Sequence, residues 1–402
     1  MGGGRAREVF AVFLRLGLTC FGGPMVHFVM FRQEFVERRA WVSERQFGHL
    51  LTLSQFLPGP GSSKLGFAIG LLRGGWTGAL AAFFAFTLPS ALLLFAFAAL
   101  LPRLAGGTGQ AIVHGLKLVA LAVVTQGLVG MWRTLCPDLP RRALAVLAAA
   151  LVLRIGANWA QLLAVGLGAA IGSFACRNVH PDFSGQLEVR HGARAGALLL
   201  TIFALLLVGL PLAARFGQRD ALRYAQAFFE TGAMAFGGGH VVLPLLQAAV
   251  VEPGWIPQAD FLAGYGAAQA VPGPMFALSA YLGARLPGPD GGVLGAGIAL
   301  VATFLPGFLL IAGVLPFWRD LAGHPRAARA IAGVSATVVG LLAAALYDPV
   351  WVSAVHAPAD VAIAALALGV MTRWRVSVLW IVALCVLASV ALALLVPGAH
   401  PA

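Results

Sequence analysis

The chain has 402 residues, of which 60% are hydrophobic and only 10% charged, against roughly 25% charged in an ordinary soluble domain. A mean hydropathy of +0.88 excludes a soluble globular protein. The formal charge of +12 comes from basic residues scattered through short loops, which excludes the long basic run of a nucleic-acid-binding protein.

In chain order, the first apolar run (9–21) is interrupted by Arg15 and lacks a small-residue exit, so no cleavable signal peptide is expected. It leads into Phe21-Gly22-Gly23-Pro24 with His27 close behind. A basic loop at 32–46 carries Arg32, Arg38, Arg39 and Arg45, and then Gln55 precedes Pro58-Gly59-Pro60-Gly61-Ser62-Ser63-Lys64. Long apolar stretches follow at 76–101, 112–133, 194–214, 291–317, 326–347 and 376–396. About 20 such residues cross a bilayer core, and because these runs are apolar on both faces they read as helices rather than barrel strands. The expected class is an all-α polytopic membrane protein. Cys20, Cys136, Cys176 and Cys385 lie far apart without metal-ligand spacing and read as packing residues.

The sequence repeats itself. Phe21-Gly22-Gly23-Pro24 recurs as Phe236-Gly237-Gly238-Gly239, Trp41 as Trp255, Phe47 as Phe261, Gln55 as Gln269, and Pro58-Gly59-Pro60 as Pro272-Gly273-Pro274. Gly74-Gly75 and Leu88-Pro89 match Gly291-Gly292 and Leu305-Pro306. Two homologous halves are therefore expected at 1–176 and 216–402, joined by 177–215, a polar linker plus one unmatched transmembrane helix.

One extra span between halves inverts the second if each half crosses an even number of times. Loop charges agree: the loop at 248–260 carries Glu252 and Asp260 and no basic residue where its counterpart carries four arginines. Arg133, Arg141 and Arg142 likewise face Asp348 and Asp360 in the second half. The positive-inside rule then puts the first-half loops in the cytoplasm, with the cluster Arg215, Arg219 and Arg223 as the exception. This topology makes 8–37 and 46–73 re-entrant hairpins broken at their Gly/Pro motifs, since Gly frees the dihedrals and Pro removes a helical donor. The alternative is a kinked spanning helix, with the kink still at mid-depth.

Broken helices at matched positions of two halves point to a transporter's binding site. The first half offers an anion cradle: backbone donors at Gly59, Gly61, Ser62, Ser63 and Lys64 at a helix start, two hydroxyls and an ammonium. Gly22 and Gly23 contribute from the first break, with Gln55 beside the second. Gly237, Gly238, Gly239, Gly273 and Gln269 contribute from the second half, where the Pro-Gly-Pro motif is followed by no polar side chain. Arg15 and Glu230 are repeat equivalents of opposite charge, expected as an ion pair or gate near the two-fold axis. His27 and His240 are candidate proton-coupling residues, titrating near neutrality, with a core or interfacial role as the alternative. No HExxH, GxSxG or Walker motif is present, so no enzyme activity is expected; a Ser62/Ser63/Lys64 hydrolase and a non-transporting scaffold are the remote alternatives.

These residues resemble the chromate ion transporter family in its long two-domain form. The resemblance is carried by Phe13-Leu-Arg-Leu-Gly-Leu-Thr-Cys-Phe-Gly-Gly-Pro24 with His27, Arg39-x-Trp41, Leu57-Pro58-Gly59-Pro60, Arg73-Gly74-Gly75, Phe236-Gly-Gly-Gly-His-Val-Val-Leu-Pro244 and Val271-Pro-Gly-Pro274. It covers nearly the whole chain. Lys64 departs from it, standing where glutamine is common. The resemblance implies chromate efflux across the inner membrane, driven by membrane potential or a proton gradient, and resistance to chromate. The cradle itself fits a small tetrahedral dianion and leaves chromate and sulfate open, so sulfate uptake or exchange is the alternative. No cofactor is expected; the partners are the oxyanion and the lipid bilayer, with a proton and a homodimeric second copy as further options.

Overall fold

The structure, a computed structural model, describes residues 2–21, 24–104, 107–155, 158–176, 192–216, 219–235, 242–318, 325–374, 376 and 378–395. Among the described residues every regular element is helical, and six helices are long and apolar enough to cross a membrane.

The first repeat comprises α1 (Gly2–Thr19), α2 (Pro24–Arg32, running on through a π-helical turn Gln33–Arg38), α3 (Glu44–Phe56), α4 (Gly61–Leu100), α5 (Gly107–Leu135), α6 (Leu139–Ile155) and α7 (Asn158–Ala175). The connecting helix α8 (Ala193–Phe216) follows. The second repeat comprises α9 (Asp220–Met234), α10 (Val242–Val250), α11 (Gln258–Ala270), α12 (Leu278–Arg285), α13 (Gly292–Val314), α14 (Pro325–Ala345), α15 (Pro358–Trp374) and α16 (Val378–Leu395). In α4 the run of helix turns at Gly75 (φ +68°), and its counterpart Gly292 (φ +61°) separates α12 from α13. Both positions require the left-handed region that glycine enters without penalty.

The broken segments are hairpins. Glu8 of α1 pairs with Arg73 near the turn of α4 at 3.0 Å and with Arg39, just past the π turn, at 3.7 Å. Trp41 stacks on Phe35 at 5.0 Å. The start of α1, the end of α2, the start of α3 and the Gly75 turn therefore lie together at one end, so both segments enter and leave on that side. Ser43 fixes the entry to α3 through a capping box with Gln46. The second repeat does the same: Tyr224 of α9 packs edge-on against Trp255 and donates to the Pro287 carbonyl, while Asp260 of α11 pairs with Arg285 of α12 at 2.6 Å.

The two ends are opposite. Beyond Gly75 the second arm of α4 runs away from Arg73, and Phe97 near its far end meets the Tyr281 ring at 5.7 Å. Tyr281 in turn donates to the Asp260 carbonyl, which places the loops of the second repeat on the far side. The repeats are thus inverted, and they interlock. Helix α5 of the first repeat packs on α15 and α16 of the second, and α14 of the second packs on α6 and α7 of the first. Small residues allow the close approach, with Gly172 against Gly333, in the manner of membrane helix pairs. Helix α8 presents Leu198, Leu205, Val208 and Leu212 outward, an apolar face suited to lipid because water would penalise its exposure.

Candidate functional site

The two Pro-Gly-Pro breaks meet the ends of α1 and α9 in the centre of the molecule. Gly59 (φ +105°) donates its N–H to the Ala235 carbonyl at the end of α9, 2.7 Å away. Gly273 (φ +99°) donates to the Cys20 carbonyl at the end of α1, 2.8 Å away. Each half-helix of one repeat therefore hands a terminal carbonyl to the break of the other. A Cβ at Gly59 would lie 2.8 Å from the Gly307 backbone, so no larger residue fits there without displacing α13.

Lys64 is fully buried. Its Nζ donates to the carbonyls of Leu57 and Pro58, the groups left unpaired where α3 stops, and its stem lies against Gly307 of α13. An ammonium has three donors, and two are used in this way. No carboxylate forms an ion pair with Lys64 among the described residues. The Gly59 N–H, expected as a free cradle donor, is taken by Ala235, and the Lys64 N–H bonds to Pro60. The donors of Gly61, Ser62 and Ser63 occupy the first turn of α4, where a helix leaves its N–H groups without intrahelical partners. Ser62 and Ser63 are buried, and Ser63 Oγ has no hydrogen-bond partner among the described residues.

His27 is 1% exposed and packs edge-on against Phe86 at 5.3 Å. Its ring lies beside the Cys20 carbonyl, yet among the described residues neither ring nitrogen reaches hydrogen-bond geometry. Thr87 Oγ1, next along α4, is likewise buried and without a partner among the described residues. Gln55 is exposed, whereas Gln269 is half-buried and reaches Met275 Sδ at 3.6 Å. Gly22, Gly23, Gly237, Gly238, Gly239 and His240 lie outside the described residues.

Arg15 and Glu230 do not pair with each other. Arg15 bonds Glu34 of its own hairpin at 2.7 Å, and Glu230 accepts from Gln226 one turn earlier at 3.0 Å. The reason lies in the repeat itself: the position matching Glu34 is Ala249, so the second hairpin has no charged partner where the first has one. Sequence reasoning missed Glu34, whose signal was its place as an acid inside a basic loop. Glu34 is buried and also receives Arg39 at 2.7 Å and Arg38 at 3.4 Å. Burial pushes its carboxyl up, but the hydrogen bond from Arg39 and the charge of Arg15 prevail and hold it below the usual carboxylate range. With the Glu8, Arg39, Arg73 and Trp41 cluster, in which Arg39 and Arg73 both stack on the indole, this network fills the loop end of the first repeat. The matching region of the second repeat holds a cleft of about 830 Å³ between α8, α9 and α10, lined by Arg215, Arg223, Gln226, Glu230, Met234 and Ala249 among others.

The chromate transporter family matches the chain twice, at 7–173 and 222–390. The chain belongs to the chromate transporter family. Among relatives, a chromate transport protein from Pseudomonas aeruginosa is 27% identical over 384 residues, covering 92% of this chain and 87% of the relative. A probable chromate transport protein from Synechococcus elongatus is 27% identical over 344 residues (85% and 83%). A chromate transport protein from Cupriavidus metallidurans is 26% identical over 378 residues (90% and 86%). No solved structure matches. The double match falls on the two inverted repeats, and the chain is a multi-pass membrane protein of this transporter family.

Proposed function

We propose that the chain carries chromate across the inner membrane by alternating access, with the anion bound at the crossed helix breaks. The observation that carries this reading is Lys64, a buried cation at mid-membrane whose ammonium has two carbonyl partners and, among the described residues, no carboxylate. A buried unpaired charge is costly, and a dianion at the first turn of α4 would relieve that cost while meeting the helix dipole and the Gly61, Ser62 and Ser63 donors. The Ser63 hydroxyl, without a partner among the described residues, supports the same reading, since buried polar groups ordinarily have partners. His27 is then the candidate proton-coupling group, and Gln269 a flanking amide; exposed Gln55 acts outside the first contact with the anion.

The asymmetry of the two ends supports a gate. The Glu34 network closes the end that the positive-inside rule assigns to the cytoplasm, and the 830 Å³ cleft opens the other. Arg215 and Arg223 in that cleft would guide an oxyanion by charge, which accounts for a basic cluster on the outer face. Efflux, with consequent chromate resistance, follows if the gradient drives the closed end to open on loading. Sulfate, of the same shape and charge, fits the same cradle and is the alternative substrate.

The test is uptake into inverted membrane vesicles. Chromate accumulation that sulfate does not suppress, and that Lys64→Ala abolishes, supports the proposal; sulfate accumulation without chromate overturns it.

A further inference from the structure

Away from the helix breaks, three residues with no part in the anion site converge on the face opposite the first-repeat loops. His114 sits early in α5, Asp360 in the first turn of α15, and His356 in the connection before it. His114 Nε2 lies 2.8 Å from Asp360 Oδ1. The other oxygen, Oδ2, accepts the backbone N–H groups of His356 and Ala357, both at 2.9 Å. The two imidazole rings are 5.6 Å apart, and one donor atom from each of the three side chains lies within 4.8 Å of the others.

We propose that His114, His356 and Asp360 bind one transition-metal cation of the zinc type, clamping α5 of the first repeat to α15 of the second. Two imidazoles and a carboxylate are a ligand set for Zn²⁺, with water as the fourth ligand. Half of the site is already built. Asp360 is oriented by two backbone donors, the outer-shell support that ligating carboxylates use, and His114 and Asp360 are both buried. The other half is movable, because His356 is exposed and its ring can turn toward the pair. Capping the start of α15 requires only Oδ2, and the bond to His114 requires only Oδ1, so neither accounts for a second imidazole at this distance. Loop charge places this face outside the cytoplasm, where external cations reach it.

The experiment uses the full chain, purified in detergent without a histidine tag and titrated with Co²⁺ and then Zn²⁺. Expected are one equivalent of Co²⁺ with the intense visible absorption of a tetrahedral site, its displacement by Zn²⁺, and a rise in melting temperature on binding. Because variants at His114 or Asp360 break a contact between helices, His356→Ala is the decisive substitution: it removes an exposed ring and should weaken binding by about tenfold or more while the metal-free melting temperature stays unchanged. Absence of a saturable single equivalent overturns the proposal. So does stoichiometric binding that persists in His356→Ala, which would place the ion among others of the nine histidines.

Discussion

The Gly59 N–H and the Ala235 carbonyl meet at 2.7 Å across the boundary between the two repeats, and the Gly273 N–H repeats the bond to Cys20 at 2.8 Å. These bonds tie the break in each repeat to the half-helix end of the other, so a carrier that opens one end must move or keep them as a unit. Gly59→Ala would suffer both a strained dihedral, at about 1–3 kcal/mol, and a backbone contact with Gly307. Gly273→Ala carries a similar dihedral strain, but its nearest contact is the Ser90 hydroxyl, which can rotate, with the Phe86 carbonyl farther off at 3.2 Å. Thermal melts in detergent should show the larger loss for Gly59→Ala; equal losses would mean that α13 yields at no cost.

Lys64 has a structural and a binding role, and three substitutions separate them. Lys64→Met keeps the volume but leaves the Leu57 and Pro58 carbonyls without their donor, a loss of about 1–3 kcal/mol for a buried group left unsatisfied, and should remove transport. Lys64→Ala should remove transport with a further loss of stability from the cavity. Lys64→Gln retains a donor and should keep the fold with altered anion preference. Melting temperature and vesicle uptake, read together, check this; wild-type uptake by Lys64→Met would take Lys64 out of the site.

The Arg15–Glu34 contact predicts a non-additive pair within one hairpin. Arg15 is more than half exposed, so its coupling to Glu34 should be about 0.2–1 kcal/mol, the range for exposed pairs. Arg15 and Glu230 should instead be additive within about 0.5 kcal/mol. Two double-mutant cycles with Gln substitutions, measured by thermal stability, decide between the pairings.

Glu34 also sets a pH dependence. Its carboxyl is held below the usual range in the folded protein, so the folded state favours the ionised form. That contribution is present in full above the unfolded carboxylate pKa and is lost as pH falls through the lower folded value. Melting temperature should therefore drop on acidification in wild type and drop less steeply in Glu34→Gln. Parallel curves would show that other carboxylates carry the acid response.

Topology is tested by cysteines placed at Arg38 and Glu252, both exposed and on opposite loop ends. An impermeant thiol reagent should label them from opposite sides of the membrane. Labelling from one side would contradict the inverted arrangement.

Much of this fold is decided locally and is legible in the sequence. Apolar runs of bilayer length leave no alternative to helices, because lipid supplies no partner for the backbone. Gly and Pro break a helix wherever they cluster, so Pro58-Gly59-Pro60 and Pro272-Gly273-Pro274 mark the breaks without any knowledge of their neighbours. Opposite charges in the loops holding Arg38 and Glu252 foreshadow the inversion. Which groups meet is a different matter. Arg15 and Glu230 are equivalent along the chain, yet Arg15 turns to Glu34, because side chains pair with whatever the hairpin brings within reach, and the second hairpin offers Ala249 there. Lys64 is readable as an intramembrane cation, but only the tertiary structure shows its ammonium folded back on the carbonyls of Leu57 and Pro58. His114 and Asp360 lie 246 residues apart, and nothing local relates them. They meet because α5 of one repeat is packed on α15 of the other, an interlock set by close-packed helix surfaces rather than by any short stretch of sequence.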